Sequence, residues 1–180
     1  ALCEDLLEGA PPASARFFPD CSQRLPVTVR LEARVGDQTI TTVKELGLVV
    51  DPAQVPNTNP ELDRILIDEE PLDGADTTLA TATEHGLRAT LERGPETYPG
   101  TDKDGAPMER LELLTLTWFV QGGETRFGRT GTYDGGEGLD EALENTWTTG
   151  EEPATDQSLL VVVRDDRGGV DWVEHTVEVR

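Results

Sequence analysis

Oxygen ligands are the chemical resource this chain holds in excess. Thirty-six Asp and Glu residues stand against fifteen Lys and Arg, a formal charge of −21. Two groupings have the composition of a calcium site, which takes about six to eight oxygens from carboxylates, Asn and backbone carbonyls. Asp51, Asn57, Asn59 and Asp63 surround the segment DPAQVPNTNPELD. Asp102 and Asp104, in TDKDG, open a D-x-D-G loop, although Lys103 sits between the acids and no EF-hand glutamate follows. A calcium site and a merely solvated acidic surface are the two readings of these residues. Carboxylate pairs such as Asp165 with Asp166, or Asp102 with Asp104, have the types needed for acid and base. On so acidic a chain such proximity arises by chance and carries little information.

Other chemistries find less support. The two histidines, His85 and His175, have no Cys or His neighbour at ligand spacing. A solvated or hydrogen-bonded histidine is the default for each. No G-x-S-x-G nucleophile elbow occurs. The stretches GGETRFG and DGGEG lack the following helix and the Lys-Ser/Thr of a phosphate loop, and read as hairpin turns. No catalytic residue is expected, and the chain reads as a non-enzyme. Trp118, Trp147 and Trp172 could form a sugar-binding platform or belong to the core. Alternation assigns Trp118 to the core and sets Trp172 on the face opposite Val173, His175, Val177 and Val179.

Cys3 and Cys21 are the only cysteines and lie in a Pro-rich segment. They read as a disulfide, worth about 3 kcal/mol for a loop of this size in the chain-entropy model. Two cysteines without histidines cannot fill a zinc site. Leu2 before Cys3 is not the small residue a lipoprotein signal needs, which argues against a lipid anchor. The excess of acid excludes a phosphate-binding nucleic-acid partner and disfavours an anionic membrane surface. No stretch approaches the roughly 18 apolar residues of a membrane helix. The start at Ala1 fits a mature secreted chain, or a trimmed one. The expected location is extracytoplasmic: periplasm, outer-membrane surface or secreted.

The elements that must carry these residues are strands. Residues 1–24 form the disulfide loop segment, with Phe17 and Phe18 as its anchors. Leu25 to Val35 alternates cleanly, Gly36-Asp37 turns, and Gln38 to Val50 returns, with a phase slip at Lys44 and Glu45 that suggests a bulge. Residues 25–50 are therefore a β-hairpin, and Asp51 to Pro60 is a linker. Beyond it, Leu62–Ile67, Leu87–Leu91, Leu111–Val120, Arg126–Tyr133 and Asn145–Thr148 read as strands. The stretches 69–84, 94–107 and 135–144 read as loops, the last with a turn of helix. The hairpin SLLVVVRDDRGGVDWVEHTVEVR closes the chain. Many short strands at turn spacings of about 8–12 residues indicate an all-β antiparallel sandwich over residues 61–180.

Residues 57–180 resemble bacterial immunoglobulin-like modules of the PKD and cadherin-like type, as in myxobacterial envelope lipoproteins. The motifs are NTNPELDRILIDEEPL, LTLTWFVQGG, NTWTTG and LLVVVRDDRGGVDW. The resemblance implies an immunoglobulin-like fold and a spacer, adhesion or assembly role. The expected function is a non-enzymatic structural or interaction subunit of a bacterial surface or periplasmic assembly, with a protein partner. The alternatives are a calcium-stabilised adhesion or carbohydrate-binding module, and a noncatalytic accessory domain of a secreted enzyme or envelope complex. Residues 25–50 look like a second closing hairpin with too few residues before it for a full sandwich. The apolar face Val27, Val29, Leu31, joined by Phe17 and Phe18, must be covered by its own chain or by a partner.

Overall fold

The computed structural model describes residues 25–48, 56–72, 77–133 and 138–180. Cys3, Cys21, Phe17, Phe18 and Asp51 lie outside these residues, and with them the expected disulfide. The chain divides into two compact units, 1–57 and 58–180. The division falls inside the stretch read as a linker.

In the first unit, β1 (Leu25–Val35) and β2 (Gln38–Leu48) form an antiparallel hairpin. Gly36, at φ 58, supplies the left-handed conformation that the two-residue turn requires. The register runs unbroken from Leu25 opposite Leu48 to Val35 opposite Gln38. The expected bulge is absent: Lys44 stands opposite Val29 and Glu45 opposite Thr28, one to one. A lysine needs no bulge to occupy an apolar stripe, because its stem lies along the sheet while its ammonium stays in water. Val29, Leu31, Ile40 and Val43 are all exposed, at 45–64%.

The second unit begins with β3 (Glu61–Ile67), β4 (Glu70–Pro71), β5 (Thr78–Leu79) and β6 (Glu84–Arg93). β7 (Thr97–Thr101), β8 (Pro107–Leu111), β9 (Leu114–Val120), β10 (Glu124–Thr125) and β11 (Arg129–Gly131) follow. A single helical turn, α1 (Leu139–Ala142), then leads to β12 (Glu144–Thr148), β13 (Ala154–Asp165) and β14 (Val170–Val179). One sheet has the order β10-β12-β6-β3-β4 and the other β11-β9-β13-β14-β5. β5 runs parallel to β14; the other pairs are antiparallel. β7 and β8 form a separate ribbon.

Both sheets feed one apolar core. Ile65, Ala89 and Trp147 come from the first, and Leu114, Leu116, Leu159, Val161 and Val163 from the second, all at 0% exposure. Each large side chain so buried contributes about 1.5–3 kcal/mol. The buried indole N–H groups are satisfied: Trp118 Nε1 donates to Thr130 Oγ1 (2.9 Å) and Trp147 Nε1 to the Gly122 carbonyl (2.8 Å).

The all-β reading holds, as do the closing hairpin and the single helical turn. Besides the bulge, three local expectations change in the second unit. The stretch 94–107 is not all loop, because β7 occupies Thr97–Thr101 and pairs with β8. These strands bury no residue fully, so they carry no period-2 apolar signal. The strand read as Leu111–Val120 is broken at Glu112 and Leu113, where Glu112 turns into the interior. The stretch 69–84 contains β4 and β5, each only two residues long.

Candidate functional site

The outer face of the second sheet collects exposed aromatic and cationic side chains. Alternation on β9 sends Leu114, Leu116 and Trp118 inward, and so Thr115, Thr117 and Phe119 outward. The register then fixes three rows across the face. Gly131, Thr115, Arg164 and Val170 form the first; Arg129, Thr117, Val162 and Trp172 the second; Phe119, Leu160 and Glu174 the third. Trp172 is 63% exposed and Phe119 49%. Their α-carbons lie two strands and one diagonal step apart, about 12 Å. Nearby, Arg126 stacks on the exposed Phe127 ring at 5.1 Å.

Arg129 and Arg164 flank β9 from opposite sides. Among the described residues neither forms an ion pair, in a chain with more than twice as many acids as bases. Arg164 Nη1 reaches Thr117 Oγ1 at 3.4 Å. Thr115, Thr117, Phe119, Arg129, Arg164 and Asp165 line a hollow of about 340 Å³ between them. Asp165 is not free to repel an anion there at full strength, since its Oδ1 accepts the Arg167 and Gly169 amides at 2.8 and 2.7 Å.

A second polar cluster lies where the β7–β8 ribbon meets the β13–β14 turn. Glu112 is buried, and its Oε1 accepts from Arg167 Nη1 at 2.9 Å. Its Oε2 accepts the Glu96 amide at 2.9 Å, and the Glu96 carboxylate lies 3.7 Å from the same guanidinium. Arg167 stacks on Tyr98 at 4.9 Å, and the Tyr98 hydroxyl donates to Asp166 Oδ2 at 3.1 Å. Burial, together with the Asp165 charge, holds the Glu112 carboxyl above the usual range, against the pull of the Glu96 amide and Arg167. Burial, followed by its bond to Asp166, likewise raises the Tyr98 phenol. The RDDRGG segment is thus a clamp that docks the ribbon on the sheet. Glu112, Glu96, Arg167 and Asp166 each already have a partner in this cluster, which suits structure better than turnover.

The third cluster is a carboxylate–imidazole pair. Asp68 (φ 50) and Glu69 (φ 69) form the two-residue turn between β3 and β4. Asp68 Oδ2 accepts from His85 Nδ1 at 2.6 Å, and Oδ1 accepts the Gly86 amide at 2.8 Å. The His85 bond is the main cause that lowers the Asp68 pKa. His85 is 8% exposed, and its Nε2 has no hydrogen-bond partner among the described residues. Among the described residues no serine hydroxyl is bonded to it.

Among the described calcium candidates, Asp63 and Asp102 have local roles. Asp63 pairs with Arg64 (2.8 Å) and accepts from Thr90 (3.2 Å), and its carboxyl is held low chiefly by Arg64. Asp102 Oδ1 accepts the Asp104 and Ala106 amides at 2.9 and 2.8 Å, which folds the tip of the ribbon on itself. Asn59 and Asp104 are exposed, and Asn57 is half-buried. Among the described residues no three His, Cys, Asp or Glu side chains group as metal ligands, and no helix is long and apolar enough to cross a membrane. Val29 and Leu31 are exposed, and Val27 is half-buried.

No protein-family model matches the chain, and no curated protein matches it.

The residues of the outer face other than Trp172 escaped the sequence reading. A usable signal existed for Phe119: in LTLTWFV it occupies the outward phase set by two threonines. Arg129 and Arg164 carried none, because their meeting across β9 depends on pairing between strands distant in sequence.

Proposed function

We propose that this chain is a noncatalytic structural or interaction subunit of a bacterial surface or periplasmic assembly. We infer an immunoglobulin-like sandwich as its body. The strand order supports this: β3, β6 and β12 stand as A, B and E, and β9, β13 and β14 as C, F and G of that fold. In this reading the β1–β2 hairpin is the segment that joins the assembly, completed by strands of a protein partner. One observation carries it. The hairpin is a two-stranded sheet with Val29, Leu31, Ile40 and Val43 exposed. Such a ribbon is marginal in water until further strands or a packing surface cover it. Native extraction of the tagged chain tests the reading. A stoichiometric protein partner, lost on Leu31→Lys with Ile40→Lys, supports it. A monomer whose elution and melting ignore both substitutions overturns it.

A second reading is a carbohydrate-binding module. It is favoured by Trp172 and Phe119, exposed on one face of the second sheet. A calcium-stabilised adhesin requires a chelator-sensitive melting temperature, which a simple thermal shift measures.

A further inference from the structure

The outer face of the β11-β9-β13-β14 sheet has the side chains to hold a sugar and the charges to choose among sugars. β9 and β13 each have a strand on both sides, so the middle of this face offers no free backbone ladder. Whatever binds there is held by side chains. Those with aromatic or polar groups are two aromatic rings, two threonine hydroxyls and two guanidiniums, with one carboxylate, Glu174, at the β14 end of the third row. An aromatic ring presents a negative face that suits the partially positive C–H face of a pyranose. Threonine hydroxyls donate and accept as sugar hydroxyls do. A guanidinium fork matches a carboxylate in two parallel hydrogen bonds.

The placement is orderly. Arg164 is the diagonal neighbour of Trp172 across β13 and β14, and Arg129 that of Phe119 across β11 and β9. Thr117 and Val162 lie between the two couples. By register each arginine is thus diagonal to one ring, the Arg164 head reaches Thr117 in the middle of the face, and among the described residues neither forms an ion pair. A second copy is a poor occupant, since it also carries −21. A peptide strand would look for ladder partners that this face lacks.

We propose that this face binds a glycan bearing uronic acids, with Trp172 and Phe119 under the sugar rings and Arg129 and Arg164 on the carboxylates. The proposal rests on the carbohydrate-binding reading and adds the ligand's charge and the residues that select it. The charge of the whole chain opposes a long polyanion. At about 0.15 M salt that field decays over about 8 Å, so a short oligomer meets mainly the local guanidiniums.

The experiment is a titration of the full chain at that salt, followed by NMR shifts. The probes are tri-galacturonate, its methyl ester (the same rings without charge) and tri-glutamate (the same charge without rings). Tri-galacturonate is expected to shift Thr117 and Val162 and to bind at least about tenfold more tightly than the ester. Arg129→Gln and Arg164→Gln should each remove most of that difference and leave the ester unchanged. Trp172→Ala should weaken both sugars, with unaltered melting showing that the fold is intact. Equal binding of acid and ester overturns the charge selection and leaves a neutral-sugar module standing. Binding of neither sugar overturns the carbohydrate reading as well. Tri-glutamate binding as tightly as tri-galacturonate makes the ligand an acidic peptide and overturns the glycan.

Discussion

Arg167 Nη1 lies 2.9 Å from Oε1 of Glu112, and both side chains are at least nine-tenths buried. A buried pair of this kind stabilises the fold less by its own attraction than by the penalty that follows when one partner is lost. It ties the β7–β8 ribbon to the β13–β14 turn, two regions that share no ladder.

Arg167→Met is expected to cost about 3–5 kcal/mol in urea unfolding at pH 7, because it leaves Glu112 charged and unpaired in the interior. Burial already raises the Glu112 pKa above its unfolded value, and Arg167 opposes that rise. Without the guanidinium the folded carboxyl takes up a proton more readily than the unfolded one. The variant's deficit relative to the parent should therefore shrink as pH falls from 7 to 5. A deficit that stays constant over that range would assign the loss to packing rather than to the stranded carboxylate.

Asp68 has the opposite sign. Its folded pKa lies below the usual 3.8, chiefly through the His85 bond. Its contribution is present above that value and is lost as pH falls through the lowered one. Asp68→Asn keeps a residue that tolerates φ 50 and should cost about 0.5–1 kcal/mol at pH 6, as for an exposed pair. The difference from the parent should begin to shrink below pH 3.8 and continue to shrink as pH falls through the lowered value. Asp68→Ala should cost more at every pH, because the left-handed turn adds strain of about 1–2 kcal/mol.

Two glycines separate strain from collision. Gly168 has φ +100, and a Cβ there would meet nothing within 4 Å. Gly168→Ala should cost only the backbone strain, about 1–2 kcal/mol. Gly123 has φ +75, and its Cβ would stand 2.0 Å from the Thr148 carbonyl oxygen. Gly123→Ala should lower the melting temperature clearly more, since the β10–β12 pairing must open to admit it. Equal melting temperatures would show that this edge of the sheet yields freely.

The three tryptophans should report their places by fluorescence. Trp118 and Trp147 are 3% and 0% exposed, against 63% for Trp172. Neutral acrylamide should quench one component of the emission, and Trp172→Phe should remove it without altering stability. Trp147→Ala should cost about 3–5 kcal/mol in chemical unfolding. Quenching that survives Trp172→Phe would mean that a buried indole is reached by solvent.

The strands of the core were legible because burial leaves a period-2 imprint. Leu114, Leu116 and Trp118 on β9, and Leu159, Val161 and Val163 on β13, alternate in sequence and are buried in the structure. The ribbon β7–β8 was illegible for the converse reason. Its residues bury no continuous face, so nothing in their order distinguishes a strand from a loop. The slip at Lys44 misled because one long cation in an apolar stripe mimics a bulge. Among the described calcium candidates, Asp63 and Asp102 answer to their nearest neighbours, an adjacent arginine and two turn amides, which composition alone does not foretell.

By itself the amino-acid order determined which residues face inward, since alternation is a local property of extended backbone. It put Trp172 on the outer phase of β14 and Trp118 on the inner phase of β9. Tertiary structure alone decided which outward residues share a surface. Arg129, Thr117, Val162 and Trp172 come from four strands and fall in one row only because β11, β9, β13 and β14 pair in that order and register. Pairing between distant strands is set by the packing of the whole core, and no local pattern encodes it.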